Sequence, residues 1–255
     1  MAKHLLIYSF LFFIVSNAIN AQYSSGGGKY QEIGFMAGPV FFQSDYGEAG
    51  LFENYYKNNG ISIGAFYYIS DISDARSSFS EYFKLRLEAS YMKSTLSHYG
   101  KYVDPKFTNV FANQLRAMSG SVTAINFGFQ MEIYPFKTDD YNSSAFSPYV
   151  SFGSQLSNYT SEVKSSLGPL GNTTTTPDKY LDGFKNESGI TGSLTTSIGA
   201  RYLLDDFNAI ILDARIQYYF TDWMDGLNPD SNKYPENTSN DWSTTINLGY
   251  VYYFH

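Results

Sequence analysis

The 255-residue chain contains no cysteine. That removes disulfides, thiolate metal sites and cysteine nucleophiles together. Histidine is scarce, with three in all. His4 lies in the N-terminal segment and His255 ends the chain, so a hydrolase built on a Ser–His or Asp–His pair would depend on His98. Long apolar runs are missing too: beyond Leu5–Val15 nothing approaches the ~20 residues of a spanning helix. Cations are few, 17 Lys and Arg against 24 Asp and Glu, and they form no basic cluster. This argues against nucleic acid as a partner.

What is present begins with an export signal. Lys3 and His4 form a basic head, Leu5–Val15 an apolar core, and Ser16–Ala21 a small, polar exit before Gln22. Residues 1–21 read as a cleaved signal peptide, too short at the core to span a membrane. Residues 22–29 read as a flexible leader. Gly26, Gly27 and Gly28 open no strand–turn–helix, so they are no phosphate loop. Residues 30–255 then form one domain, rich in aromatics and glycine, since the chain holds 24 Tyr, 21 Phe and 21 Gly.

That domain alternates with a two-residue period, the mark of strands with one apolar and one polar face. Eight segments qualify: Tyr30–Phe42, Gly60–Ile69, Tyr82–Leu96, Ser121–Tyr134, Ser147–Tyr159, Ile190–Leu203, Ala209–Phe220 and Trp242–Phe254. In the third, Phe83, Leu85, Leu87, Ala89 and Tyr91 alternate with Lys84, Arg86, Glu88 and Ser90. In the last, Ile246, Leu248, Tyr250, Tyr252 and Phe254 alternate with Thr245, Asn247 and Gly249. Connections after the second, fourth and sixth segments are the shorter ones, ending with Leu204–Asn208; the others are long and polar. The expected fold is therefore an all-β, eight-stranded antiparallel up-and-down transmembrane barrel. Short turns would face the periplasm and long loops the outside. Each segment is long enough for a tilted strand to cross a bilayer, which takes ~9–11 residues.

With the apolar face toward lipid, Glu32, Lys84, Arg86, Glu88, Glu132, Arg201, Asp213 and Arg215 point inward, with Gln130 and Gln217. The cations match the anions. Charges in so narrow a lumen are costly unless paired, so a plug of structural ion pairs is expected rather than an open channel. Alternation alone also fits a soluble barrel with the opposite facing; the terminal strand and the loop lengths favour the membrane.

Sites of chemistry are sparse. His98 reads as a solvated histidine at the outer rim. The loop Thr221–Asp241 gathers Asp222, Asp225, Asp230, Glu236 and Asp241 against Lys233. Asn228, Asp230 and Asn232 alternate as calcium ligands would, but Lys233 stands where an EF-hand loop needs glycine. The default is a solvated, turn-rich surface loop. Leu167–Pro177 reads as another exposed loop. No catalytic residue, cofactor site or metal site is assigned.

The motifs E-I-G-F-M-A-G (Glu32–Gly38), S-H-Y-G-K-Y-V-D (Ser97–Asp104), L-R-A-M-S-G (Leu115–Gly120), D-W-M-D-G-L-N-P, N-D-W and G-Y-V-Y-Y-F resemble those of a group of small exported barrels from Bacteroidetes. That group is similar in outline to the PorG-type outer-membrane component of the type IX secretion system. Asn247, Gly249, Tyr252 and Phe254 match the terminal pattern read by the barrel-insertion machinery. The resemblance implies a non-enzymatic protein of a Gram-negative outer membrane, in contact with its lipid and with that machinery. It also implies a barrel that tethers a periplasmic or lipoprotein partner through its short turns, as an accessory or anchor of a secretion or envelope assembly. The alternatives are a surface binding or adhesion module acting through acidic outer loops, and a rim hydrolase using His98.

Overall fold

The computed structural model describes residues 31–46, 52–69, 82–136, 145–230, 232–234 and 240–254. The signal peptide, the leader, His255 and the turns at Asp71–Ser80 and Lys137–Asn142 lie outside the described residues.

Eight strands form among the described residues: β1 Gln31–Gln43, β2 Asn59–Ile69, β3 Phe83–Ser97, β4 Met118–Ile133, β5 Phe146–Ser165, β6 Glu187–Asp205, β7 Asn208–Tyr219 and β8 Trp242–Phe254. Each pairs antiparallel with its neighbours in the chain, and β8 returns to β1, setting Tyr250 opposite Phe35, so the barrel closes. Closure leaves no unpaired strand edge, the condition for a sheet to cross lipid.

The facing explains the membrane assignment. Ile125, Phe127, Phe129 and Met131 on β4 point out and are exposed, as do Phe152 and Leu156 on β5 and Leu248, Tyr250 and Tyr252 on β8. Between them Asn126, Gln130, Glu132 and Asn247 are buried. This is the inverse of a water-soluble barrel, and it makes the fold a transmembrane one.

Several strands are longer than the sequence patterns suggest. β4 begins at Met118, β5 runs on to Ser165 and β6 starts at Glu187. In the β4 and β5 extensions the two-residue period continues while its sign flips. On β3 the outward residues change from Leu87 and Tyr91 to Lys93 and Thr95, while the inward ones change from Arg86 and Glu88 to Met92 and Leu96. On β4 the outward Ser119, Ser121 and Thr123 oppose inward Met118, Val122 and Ala124. Below the switch the outer solvent is lipid; above it, water. Each strand segment therefore presents the side that its surroundings reward.

At the periplasmic side β6 and β7 are joined by Asp206 and Phe207 alone, tighter than the Leu204–Asn208 turn expected. Two short α-helices stand among the described residues of the outer connections, where the alternation pattern shows only loop: α1 Phe52–Lys57 and α2 Val110–Ala117. Asn109 caps α2, its Oδ1 accepting from the Ala112 amide at 2.8 Å.

The belt makes a direct prediction. Phe129→Arg, at the middle of the lipid-facing run of β4, should destabilise the barrel by about 2–4 kcal/mol. Thr123→Arg, outward on the same strand but above the belt, should cost about 1 kcal/mol or less. Urea titration of vesicle-embedded protein, read by the heat-dependent gel shift, checks the contrast.

Candidate functional site

The inward faces stack in layers. Nearest the periplasm lies an apolar and aromatic cluster of Met36, Phe66, Tyr68, Tyr134, Tyr149, Ile211, Val251 and Tyr253. The charged layer threads through it. Arg86 Nη1 lies 2.7 Å from Glu132 Oε1, and its Nη2 lies 3.3 Å from Glu88 Oε2 and 3.6 Å from Asp213 Oδ2. Arg215 pairs with Glu88 and, at 3.1 Å, with Asp213 Oδ1. Arg201 and Lys84 both pair with Glu32, and Arg201 Nη2 reaches within 3.8 Å of Glu132 Oε2. The eight charged positions read from the sequence thus meet in one network. All are buried except Lys84, which sits at its periplasmic edge.

Neutral groups complete the network, and most carry no signal of that role in the sequence. The Tyr68 hydroxyl donates to Glu132 Oε1 at 2.8 Å, and the Tyr134 hydroxyl to Glu132 Oε2. The Tyr149 and Ser197 hydroxyls donate to Asp213 Oδ2 at 2.8 and 2.9 Å. Gln130 bridges the charges, accepting from Arg86 and donating to Glu88. The Arg201 guanidinium lies 4.7 Å from the Tyr68 ring centroid, and that of Arg86 5.1 Å from Phe66. These rings carry the parity of the polar face, a signal that could have placed them inside. Inward glycines make room for the bridging amides: a Cβ on Gly153 would lie 2.6 Å from Gln130 Cγ.

Above the charges Asn126, Ser157, Ser193 and Gln217 form a hydrogen-bonded polar layer. Above that the lumen closes on a second apolar cluster, including Val40, Phe42, Met92, Leu96, Val122, Val163, Tyr219, Met224 and Leu227. The inward face is polar and charged down to the periplasmic strand ends, where Glu32, Lys84 and Arg201 meet, and turns apolar only toward the outer end.

The upper cluster draws the outer connections inward, and here the sequence expectations are corrected. Thr221–Asp241 is not simply a solvated loop: Met224, Asp225, Leu227, Tyr234 and Asp241 are buried. Trp223, Met224 and Leu227 were the available signal, apolar residues clustered in a polar stretch. Gly226, with φ +79°, turns the chain where a side chain would strike Val163. Asn228, Asp230 and Asn232 spend their polar groups on turns: the Asp230 amide donates to Asn228 Oδ1 and the Asn232 amide to Asp230 Oδ1. Among the described residues no group of three acidic or imidazole side chains is placed to hold a metal. Leu167–Pro177 is exposed only in part, because Thr175 and Thr176 are buried. His98 is not a solvated rim residue either. Its ring lies 4.7 Å from that of the fully buried Tyr46, and burial pushes its pKa down to about 4.

On β8, Asn247 is buried and donates to Thr245 Oγ1, and Gly249 faces inward against Ile211. Tyr252 and Phe254 stack on the outer side, 6.3 Å between centroids.

Two substitutions probe these layers. Arg86→Met should destabilise the barrel by about 3–5 kcal/mol, because it strands the buried Glu132, Glu88 and Asp213 around an uncharged chain. Denaturant titration of the folded barrel measures it.

The second concerns the cap. Asp241 Oδ2 accepts from the Met224 and Asp225 amides, and Asp225 accepts from the Asp45 and Leu227 amides. Among the described residues no cation pairs with either carboxylate. Burial raises Asp222 to about 6, Asp225 to about 7 and Asp241 well above the usual carboxylate range, with neighbouring acids adding to the rise at Asp225 and Asp241. A carboxyl whose pKa is raised on folding adds stability below its unfolded value, and that stability is lost as pH climbs through the folded one. His98, held neutral, acts oppositely, but it is one group against three. The cap should therefore loosen as pH rises from about 4 to 7 and beyond. Trp223, in a Trp242→Phe protein, should become more open to acrylamide quenching over that range. Asp241→Asn, which keeps the accepting oxygen, should flatten the change.

No family model matches the sequence, and no curated protein matches as a relative. The fold defines the class: a small, closed transmembrane β-barrel with a filled lumen. Among solved structures the chain is similar to a major outer membrane protein from Thermus thermophilus, at 13% identity, covering 88% of this chain and 99% of that one, TM-score 0.47. It is also similar to Neisserial surface protein A, at 14% identity over 90% and 100%, TM-score 0.43. A third is Ail, the attachment invasion locus protein of Yersinia pestis, at 12% identity over 89% and 100%, TM-score 0.42. At these values the assignment stands on the chain's own strand pairing and facing.

Proposed function

We propose that this chain is a non-enzymatic outer-membrane β-barrel that passes no solute through its lumen and serves as a rigid stand for its outer cap. One observation carries the reading: the interior is filled along its length, by the Tyr68–Tyr253 cluster, the ion-pair layer, the amide and hydroxyl layer, and the Val40–Leu227 cluster. A barrel built to conduct would spend its lumen on water. A barrel built to display needs stiffness, which buried, ion-paired charges linking several strands provide. The ion pairs are thus structural rather than a proton path.

On this reading residues 1–21 direct export and are removed, and Asn247, Gly249, Tyr252 and Phe254 present β8 to the barrel-insertion machinery. An acidic binding face on the outer loops would lack Asp225 and Asp241, which are buried in the cap's interior. A second reading, an anchor for a periplasmic or lipoprotein partner in a PorG-like, type IX secretion setting, is favoured by Phe136 and Phe207, which stand exposed at the periplasmic end. A photo-crosslinker at Asp206 that captured one specific periplasmic protein in cells would support it.

The stand reading has a simple test. Purified protein in planar bilayers should show no conductance above background at neutral pH. A steady, ohmic current would overturn it.

A further inference from the structure

The outer connection between β3 and β4 differs in charge from the other three. It carries Lys101, Lys106 and Arg116 against Asp104. The β7–β8 connection carries Asp222, Asp225, Asp230, Glu236 and Asp241 against Lys233, and the β1–β2 connection Asp45, Glu48 and Glu53 against Lys57. The β5–β6 connection balances Asp178 and Asp182 with Lys179 and Lys185.

The same connection leaves large apolar side chains in water. Tyr102 is 52% exposed, Phe107 50%, Val110 68% and Phe111 39%. Loose packing does not account for this, because the segment is tied down. Arg116 Nη1 donates to the carbonyls of Val103 and Asp104 at 3.2 and 3.0 Å, and Nη2 to the carbonyl of Phe107 at 2.8 Å and to Asn113 Oδ1. Leu115, in the last turn of α2, and Met118, which opens β4, are anchored in the upper apolar cluster. Lys101 Nζ lies 4.9 Å from the Tyr102 ring centroid, and Lys106, whose Nζ lies 3.7 Å from Asp104 Oδ2, keeps its side chain 87% exposed.

A fixed surface that holds apolar side chains in water is an interaction site. We infer that the Lys101–Phe111 segment docks on an anionic lipid surface, an apposed bilayer outside the cell. This rests on the stand reading and names what the stand presents. Lysines beside aromatic and aliphatic side chains are the composition of interfacial lipid binding: the ammonium groups meet headgroup phosphates while the apolar groups enter the acyl boundary. Charge complementarity fixes the sign of the surface. The apolar content selects lipid over an acidic polymer, which offers nothing to Val110, the most exposed of the four. The protein's own bilayer is set apart by the polar outward residues Lys93, Thr95, Ser119 and Ser121, which carry β3 and β4 beyond the lipid belt.

The test uses the full protein in nanodiscs of neutral lipid, mixed with vesicles of phosphatidylcholine with or without phosphatidylglycerol and read by flotation. Binding should require phosphatidylglycerol and weaken with salt. Lys101→Glu with Lys106→Glu should lower affinity about tenfold or more. Phe107→Ser with Val110→Ser should weaken it comparably while leaving the salt dependence in place. The heat-dependent gel shift verifies that each variant is folded. Equal binding to both vesicle types, no binding, or binding indifferent to both pairs of substitutions overturns the inference, as does capture of a soluble sulfated polysaccharide in place of vesicles. Failure here leaves the closed lumen standing, whereas a conducting lumen defeats the stand reading whatever the vesicles do.

Discussion

Arg86 lies fully buried within the barrel with Glu132, Glu88 and Asp213 around its guanidinium. A charge so placed is tolerable only if its partners are fixed, and those partners come from β3, β4 and β7. The side chains that fix them, Gln130, Tyr68, Tyr149 and Ser197, come from β4, β2, β5 and β6. One buried cation therefore holds most of the wall to a common register. A slip of one residue in any of these strands would turn its charges toward lipid, so the network selects register as much as it fills space.

The layers above and below follow from the same constraint. The ionic layer excludes water best when sealed; the Val40–Leu227 cluster closes it at the outer end, and the tyrosines interleaved with the charges fill the space around them toward the periplasm. The upper seal also recruits Met224 and Leu227 from the β7–β8 connection, so the interior of the barrel and the shape of its outer cap are parts of one packing problem. Rigidity below gives the outer connections a floor on which α2 and its clamped neighbours are held still.

Each of three strands also records where the bilayer stops. On β3, β4 and β5 the period stays at two while the apolar side moves from outside to inside, at Tyr91–Met92, Ala124–Ile125 and Leu156–Tyr159. The outward change from Tyr91 to Lys93, or from Leu156 to Asn158, is the change from lipid to water. The protein is thus a membrane barrel for part of its height and a water-facing barrel above it, continuous in hydrogen bonding throughout.

Alternation in the sequence by itself determined the number of strands, their antiparallel order and the inward set of charges, because a period of two assigns every residue to a face. It could not determine which outer residues would be buried. Asp225 and Asp241 look like any polar loop residues in a linear chain, and only the closed barrel, with an apolar mouth to be covered, drew them in, with His98 half-buried beside Tyr46. The inward tyrosines share that history: composition places Tyr equally well in an interfacial girdle, and tertiary structure decided that Tyr68, Tyr134 and Tyr149 serve carboxylates. Parity along a strand is local and so is written in the sequence. Which strands stand across the lumen from one another is set by closure of the sheet, and pairings such as Glu32 with Arg201 exist only once β8 has met β1.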